Sequence, residues 1–236
     1  MSEYVLLHDD PIEEGRLAML SALLDPYMCF RLDLLGVDAG WSYLEVGAGN
    51  GSISRWLAGR VGTSGRVVCT DLETSFIDRL ASEGISVRQL DIVLDPILQP
   101  VNGEGFDLIV ARNVLHHLPE HNDVIERLAA ALKPGGLLVT MEPDTATLWS
   151  TTSPEWLAYW QAFCAWSESR DIDYKLGCSL ALRLSRVGLD RVESFSETSM
   201  LQGGRDTPTP VVTGFYRDTA IAIGPRMIAD GFLSPS

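Results

Sequence analysis

The chain of 236 residues is long enough for one sizeable domain with a small appended lid, and 46% apolar with 21% charged residues is globular composition, not disorder. Its 18 Lys and Arg against 32 Asp and Glu leave a formal charge of −14, with no basic run to form a phosphate-binding footprint, which disfavours nucleic-acid partners. No apolar run approaches the roughly 20 residues that span a bilayer, Met1-Ser2-Glu3-Tyr4 lacks the shape of a signal peptide, and Cys29, Cys69, Cys164 and Cys178 in apolar contexts read as buried free thiols, so a cytoplasmic protein without a membrane partner is expected.

In chain order, residues 9–36 read as helix, broken near Asp25-Pro26. From 41 to 143, short and partly β-branched runs alternate with amphipathic ones. Tyr43–Val46, Arg66–Thr70, Ser86–Leu90, Phe106–Val110 and Leu137–Met141 predict strands. Ile53–Val61, Ser75–Ser82 (capped by Thr74) and Asp123–Leu132 predict helices, the last stopped by Lys133-Pro134-Gly135-Gly136. This alternation implies an α/β fold with a mostly parallel, doubly wound sheet. The aromatic stretch 145–170 (Trp149, Trp156, Tyr159, Trp160, Phe163, Trp166) and residues 176–187 predict helices, followed by a strand at Arg191–Phe195 and a helix over 211–229. The chain thus divides into an N-terminal helical arm (1–36), an α/β core (37–144), a helical insertion (145–187) and a closing segment (188–236). No convincing seventh strand is found. An unpaired sheet edge would invite a partner, so a homodimer is one expectation.

Leu44-Glu45-Val46-Gly47-Ala48-Gly49-Asn50-Gly51 carries a strand into a glycine loop and then a helix. Glycine permits positive φ and close approach of a ligand, and the helix N-terminus offers unpaired N–H groups. Structural turns and dehydrogenases share such loops. Asp71 closes the second strand 20 residues beyond Gly51, where a carboxylate can accept both hydroxyls of a ribose. Asp91 ends the third strand beside Ile92 and can accept from an adenine amino group, although Asp is also a common turn residue.

With Phe106-Asp107-Leu108-Ile109-Val110-Ala111-Arg112-Asn113-Val114-Leu115-His116-His117-Leu118 and Leu132-Lys133-Pro134-Gly135-Gly136, these motifs resemble, in order, those of class I S-adenosylmethionine-dependent methyltransferases, closest to small-molecule enzymes related to the quinone-biosynthesis C-methyltransferases. The resemblance covers roughly 41–143. It implies S-adenosylmethionine as cofactor, with Glu45, Gly47, Ala48 and Gly49 facing its methionine part, and Asp71 on the ribose with Leu72 against the adenine. Asp91 and Ile92 would lie at the adenine edge, with Ala111 and Arg112 near the amino group. It also implies an N-terminal arm over the cofactor, with Arg16 at the carboxylate and Tyr4 closing the lid.

Base candidates for the transfer are His116, His117, His121, Glu142, Asp144 and His8, with His116 and His117 at the carboxyl edge of the sheet, where ligands bind. A helical packing role for the His pair competes with this. Glu142 and Asp144 could instead position a substrate. His117 and His121 have metal-like spacing, but Pro119 interrupts the turn and no carboxylate cluster completes a site, so no metal is expected. Trp160 and Phe163 are candidates for an aromatic acceptor pocket, against the plainer reading of a core face. The expected reaction is methylation of a small, hydrophobic or aromatic metabolite, with the accepting atom open. The alternative is a cofactor-binding protein guiding a non-methylating reaction. Nucleic-acid methylation is less favoured, since Arg112-Asn113-Val114-Leu115 stands where base-methylating enzymes carry an Asn/Asp-Pro-Pro-aromatic motif, and protein methylation is also ranked below a small-molecule acceptor.

Overall fold

A computed structural model describes residues 11–98, 103, 105–145, 153–198 and 210–234. Helix α1 spans Pro11–Leu34, β1 Ser42–Val46, α2 Ser52–Val61, β2 Arg66–Asp71, β3 Ser86–Gln89, β4 Phe106–Arg112, α3 His121–Ala130 and β5 Leu132–Met141. Helices α4 (Pro154–Glu168), α5 (Gly177–Leu184) and α6 (Pro210–Ala229) follow. The strands form one parallel sheet in the order β3-β2-β1-β4-β5. The order reverses beside β1, so the ends of β1 and β4 open a crevice at the carboxyl edge.

Alternation along β1 splits the core between the two faces. Tyr43 packs with Ile53, Leu57, Met28 and Leu32 from α2 and α1, while Leu44 and Val46 pack with Val124, Ile125, Leu128 and Leu180 from α3 and α5. A third cluster joins α4 and α6 through Trp160, Phe163, Trp166, Ile223 and Met227. Ser153 caps α4 by accepting from Trp156 N–H at 3.2 Å, with Pro154 in the first turn.

Four local expectations change. Helix α1 runs through Pro26, because fully buried Met28 and Leu32 anchor the turns beyond it. Residues 75–82 form only a short 3-10 segment at Asp78–Glu83, ended by left-handed Gly84 at φ 86°. The Lys133–Gly136 turn falls inside β5, where the register slips between Phe106 and Leu108. Arg191–Phe195 is not a strand: it is largely exposed and pairs with no described strand. Five strands are present among the described residues. Cys178 is exposed, with Sγ 3.0 Å from Asp144 Oδ1, because it lies on the outer turn of α5.

Candidate active site

The glycine loop follows β1 with Gly47 at φ 65° and Gly51 at φ 75°, backbone that side-chain-bearing residues rarely adopt. A Cβ on Gly47 would sit 2.3 Å from Val114 Cγ2, and one on Gly51 2.3 Å from Leu80 Cδ1. The loop is thereby pressed against two neighbouring elements. Ala48 N–H donates to Thr70 O at 3.0 Å, and Gly49 N–H to Asp71 Oδ2 at 2.8 Å, which fixes that carboxylate at the end of β2. Asn50 Oδ1 accepts from Ser21 of α1 at 3.0 Å and from Ser52 N–H at 3.2 Å. Arg112, at the end of β4, pairs with Asp25 of α1, whose Oδ1 also accepts from Ser52 Oγ at 3.2 Å. Helix α1 is thus latched onto the loop.

These elements wall a cavity of about 1060 Å³ that carries Arg16, Gly47, Ala48, Gly49, Asp71, Leu72, Ile92, Arg112, His116, His117, Glu142 and Trp160 on its surface. Its donor set fits a nucleoside with an amino-acid tail: a carboxylate fixed at the loop, half-exposed Leu72 and buried Ile92 as apolar cover, and backbone of the glycine loop. Arg16 lies on the wall but is engaged by Glu13, at 2.7 Å from Nε and 2.8 Å from Nη2. Tyr4 and His8 lie outside the described residues.

Several expected residues stand elsewhere. Glu45 is not on the wall: β1 alternation turns it under the loop, where it is 1% exposed and accepts from Ser54 Oγ, and burial pushes its carboxyl up to about 7. Ala111 is enclosed in the core beneath Arg112. Asp91 is a turn residue, its Oδ1 accepting from Val93 N–H at 2.9 Å and Leu94 N–H at 3.2 Å. Phe163 packs within the α4–α6 cluster, between Trp160 and Tyr174, and does not reach the wall.

The segment after β4 brings the two candidate bases, His116 and His117, to the cavity. Asn113 adopts φ 54°, its N–H held by Met141 O at 2.8 Å, and redirects the chain into a 3-10 turn at Leu115–His117. That turn brings His116 Nδ1 to 2.6 Å from Glu142 Oε2, with both side chains buried. Glu142 also accepts from the backbone N–H groups of Val114 (3.1 Å), Leu115 (2.9 Å) and His116 (3.2 Å). Its oxygens are therefore engaged by His116 and the turn, while Glu142 also lines the cavity where a substrate-positioning role was expected for it. No described residue bonds His116 Nε2, and the ring lines the cavity, 4.8 Å from the ring of Tyr174. Desolvation of the imidazolium pulls His116 down to about 3, and burial pushes Glu142 up to about 7 against the pull of its N–H donors. His117 is likewise depressed by burial. Among the described residues no cluster of His, Cys, Asp or Glu could hold a metal ion. No described helix is long and apolar enough to cross a membrane.

Sequence reasoning missed Asp25, Asn50 and Tyr174. Asn50 sat in the recognised loop, but Asp25 and Tyr174 reach the site from segments with no motif around them.

Comparison with known proteins defines the class. Residues 44–138 match a methyltransferase domain model. The chain is 29% identical over 209 residues to methyltransferase GfsG of Streptomyces halstedii, covering 87% of this chain and 69% of that one. It is 29% identical over 117 residues to the ubiquinone/menaquinone biosynthesis C-methyltransferase UbiE of Ectopseudomonas mendocina, covering 48% of this chain. It spans 46% of UbiE and 3% of the hybrid PKS-NRPS synthetase apdA of Emericella nidulans, which it also matches. In fold it is similar to a putative sarcosine dimethylglycine methyltransferase from Galdieria sulphuraria, with TM-score 0.56 and 17% identity over 98% of this chain and 80% of that one. These matches support a class I S-adenosylmethionine-dependent methyltransferase, with S-adenosylmethionine as its cofactor.

Proposed function

We propose that this protein transfers a methyl group from S-adenosylmethionine to a hydroxyl of a small, largely apolar metabolite, with His116 as general base. The contact that carries this reading is the 2.6 Å pair of His116 Nδ1 and Glu142 Oε2 beside the glycine-loop cavity. Bound S-adenosylmethionine supplies an electrophilic methyl on a cationic sulfur. An alcohol or phenol attacks poorly while it keeps its proton, so a base matters most for such acceptors. Ionised Glu142 accepts the Nδ1 proton of His116 and fixes the tautomer that leaves Nε2 as an acceptor toward the cavity. His116 Nε2 would then take the proton that the acceptor hydroxyl loses as it is methylated.

Asp71 with Leu72 and Ile92 would hold the nucleoside, and the Gly47–Gly49 backbone the amino-acid tail, with Arg16 and Arg112 at its charged end. Helix α1 and the α4–α5 region would act as the lid over both ligands. A quinone-biosynthesis relative supports a small-molecule acceptor. The acidic charge supports a soluble cytoplasmic enzyme that does not act on nucleic acid.

Transfer of a labelled methyl group to a panel of phenols and alcohols tests the reading. His116→Ala should lower the rate by about 10²–10⁴-fold while cofactor affinity holds. Tight cofactor binding by the native protein without transfer to any acceptor would favour a non-methylating role.

A further inference from the structure

Resting on the assignment of this cavity as the acceptor site, the polar tips on its aromatic wall narrow the class of acceptor. Buried Trp N–H and Tyr O–H groups normally find partners, since leaving one dry costs about 1–3 kcal/mol. Trp160 is 5% exposed, yet no described residue bonds its Nε1. Tyr174 and Tyr216 line the same cavity, and no described residue bonds either phenol oxygen. By contrast Trp166, on the same helix as Trp160 but facing away from the cavity, donates from Nε1 to Asp230 Oδ2 at 2.8 Å. The fold satisfies the Trp166 indole away from the cavity, and leaves the Trp160 N–H unsatisfied beside two phenols that line the same cavity.

Packed rings run from that wall to the base, with Phe163 bridging Tyr174 and Trp160 from behind it. Ring centroids lie 4.8 Å apart for His116 and Tyr174, 4.7 Å for Tyr174 and Phe163, 5.0 Å for Phe163 and Trp160, and 5.5 Å for Trp160 and Tyr216. Its nearby cation, Arg16, 5.6 Å from the centre of Phe215, is already matched by Glu13. Glu142 is consumed by its four donors. A carboxylate or ammonium placed against the wall would meet no uncompensated opposite charge there, and burying it would be costly.

We propose that the acceptor is a neutral apolar molecule bearing several oxygens, of the hydroxyketone or polyol type. One hydroxyl sits at His116, while further oxygens take hydrogen bonds from Trp160, Tyr174 and Tyr216. These three residues then set specificity and do not take part in proton transfer.

Calorimetric titration of the full chain with demethylated cofactor tests this using three probes: a medium-chain β-hydroxyketone, the alkanol of equal length with one hydroxyl, and sarcosine. The hydroxyketone should bind about tenfold tighter than the alkanol, two added hydrogen bonds at a net ~1 kcal/mol or less each, and sarcosine should not bind. Trp160→Phe, Tyr174→Phe and Tyr216→Phe keep the rings, and two of the three should each cut the hydroxyketone-to-alkanol ratio about threefold with cofactor affinity intact. Equal affinity for the two neutral probes in the native chain, preferred binding of sarcosine, or a ratio that none of the variants moves would overturn the proposal. Binding is read without turnover, so a failure of His116 as base would appear separately, as the same probe preference without methyl transfer.

Discussion

His116 and Glu142 share a contact whose chemical meaning turns on one proton. With Glu142 ionised, His116 carries its proton on Nδ1 and presents Nε2 as a base. With Glu142 protonated, the carboxylic acid donates to Nδ1, the ring proton moves to Nε2, and the base is lost although the 2.6 Å contact survives. Because burial raises Glu142 to about 7, the working form exists above that pH and declines below it. The rate at saturating substrate should therefore fall about tenfold per pH unit below about 7. His116, depressed to about 3, contributes no further limb in that range. Glu142→Gln puts an amide donor against Nδ1, so it should lower the rate about 10²-fold or more and flatten the acid limb. A steep limb persisting in Glu142→Gln would assign the titration to another group. His116 was legible in the sequence because it follows a β-rich run at the sheet edge. The task of Glu142 was not, because three of its four donors are backbone N–H groups of a turn that sequence patterns do not reveal. Tyr174 follows a left-handed Asp171 in a loop without periodicity, so nothing in its surroundings marked it.

At the scale of elements, the parallel core was readable because buried strands are short, apolar and β-branched, and because the glycine loop needs backbone that only glycine adopts freely. Gly51→Ala should show the second point. It combines a left-handed φ with a Cβ 2.3 Å from Leu80, and should cost about 1–3 kcal/mol of stability and weaken cofactor binding, read by thermal melts with and without demethylated cofactor. Elements set by tertiary packing were less readable. A proline predicts a helix break from local rules, yet α1 continues, since two fully buried side chains beyond Pro26 outweigh the roughly 3 kcal/mol of a helical proline. Arg191–Phe195 has the composition of a strand, but a strand needs a neighbour, and here Phe195 lies under the Arg31 guanidinium at 4.0 Å while Arg31 also bonds Glu197 at 3.2 Å. Asp71→Ala would leave Gly49 N–H without its acceptor and should weaken cofactor binding by more than tenfold, two hydrogen bonds of ~1 kcal/mol or a little less, without changing the pH at which the rate declines.

Across the whole molecule, buried carboxylates couple stability to pH in the same range. Glu45 titrates at about 7 when folded, against about 4.5 for an ordinary glutamate in the unfolded chain, so the folded chain holds that proton more tightly. Its stabilising share is complete below about 4.5 and is lost as pH rises through about 7. Glu45→Gln should melt higher than the native chain at pH 8, by up to about 3 kcal/mol of stability, and equally near pH 4.5. A lower melting temperature at pH 8 would mean that the carboxylate is held by more than its bond to Ser54. The same sheet that buries these groups places the Gly47–Gly51 loop and His116 on one cavity, and the central claim is that this shared cavity carries out methyl transfer with His116 as base. Single-turnover transfer of a labelled methyl group, followed against pH for the native chain and His116→Ala with the same hydroxyl acceptor, tests it most directly. The native rate should fall below about pH 7, and the variant should bind cofactor normally but transfer at least about 100-fold more slowly, without that limb. Equal rates and equal pH profiles in the two proteins would contradict it.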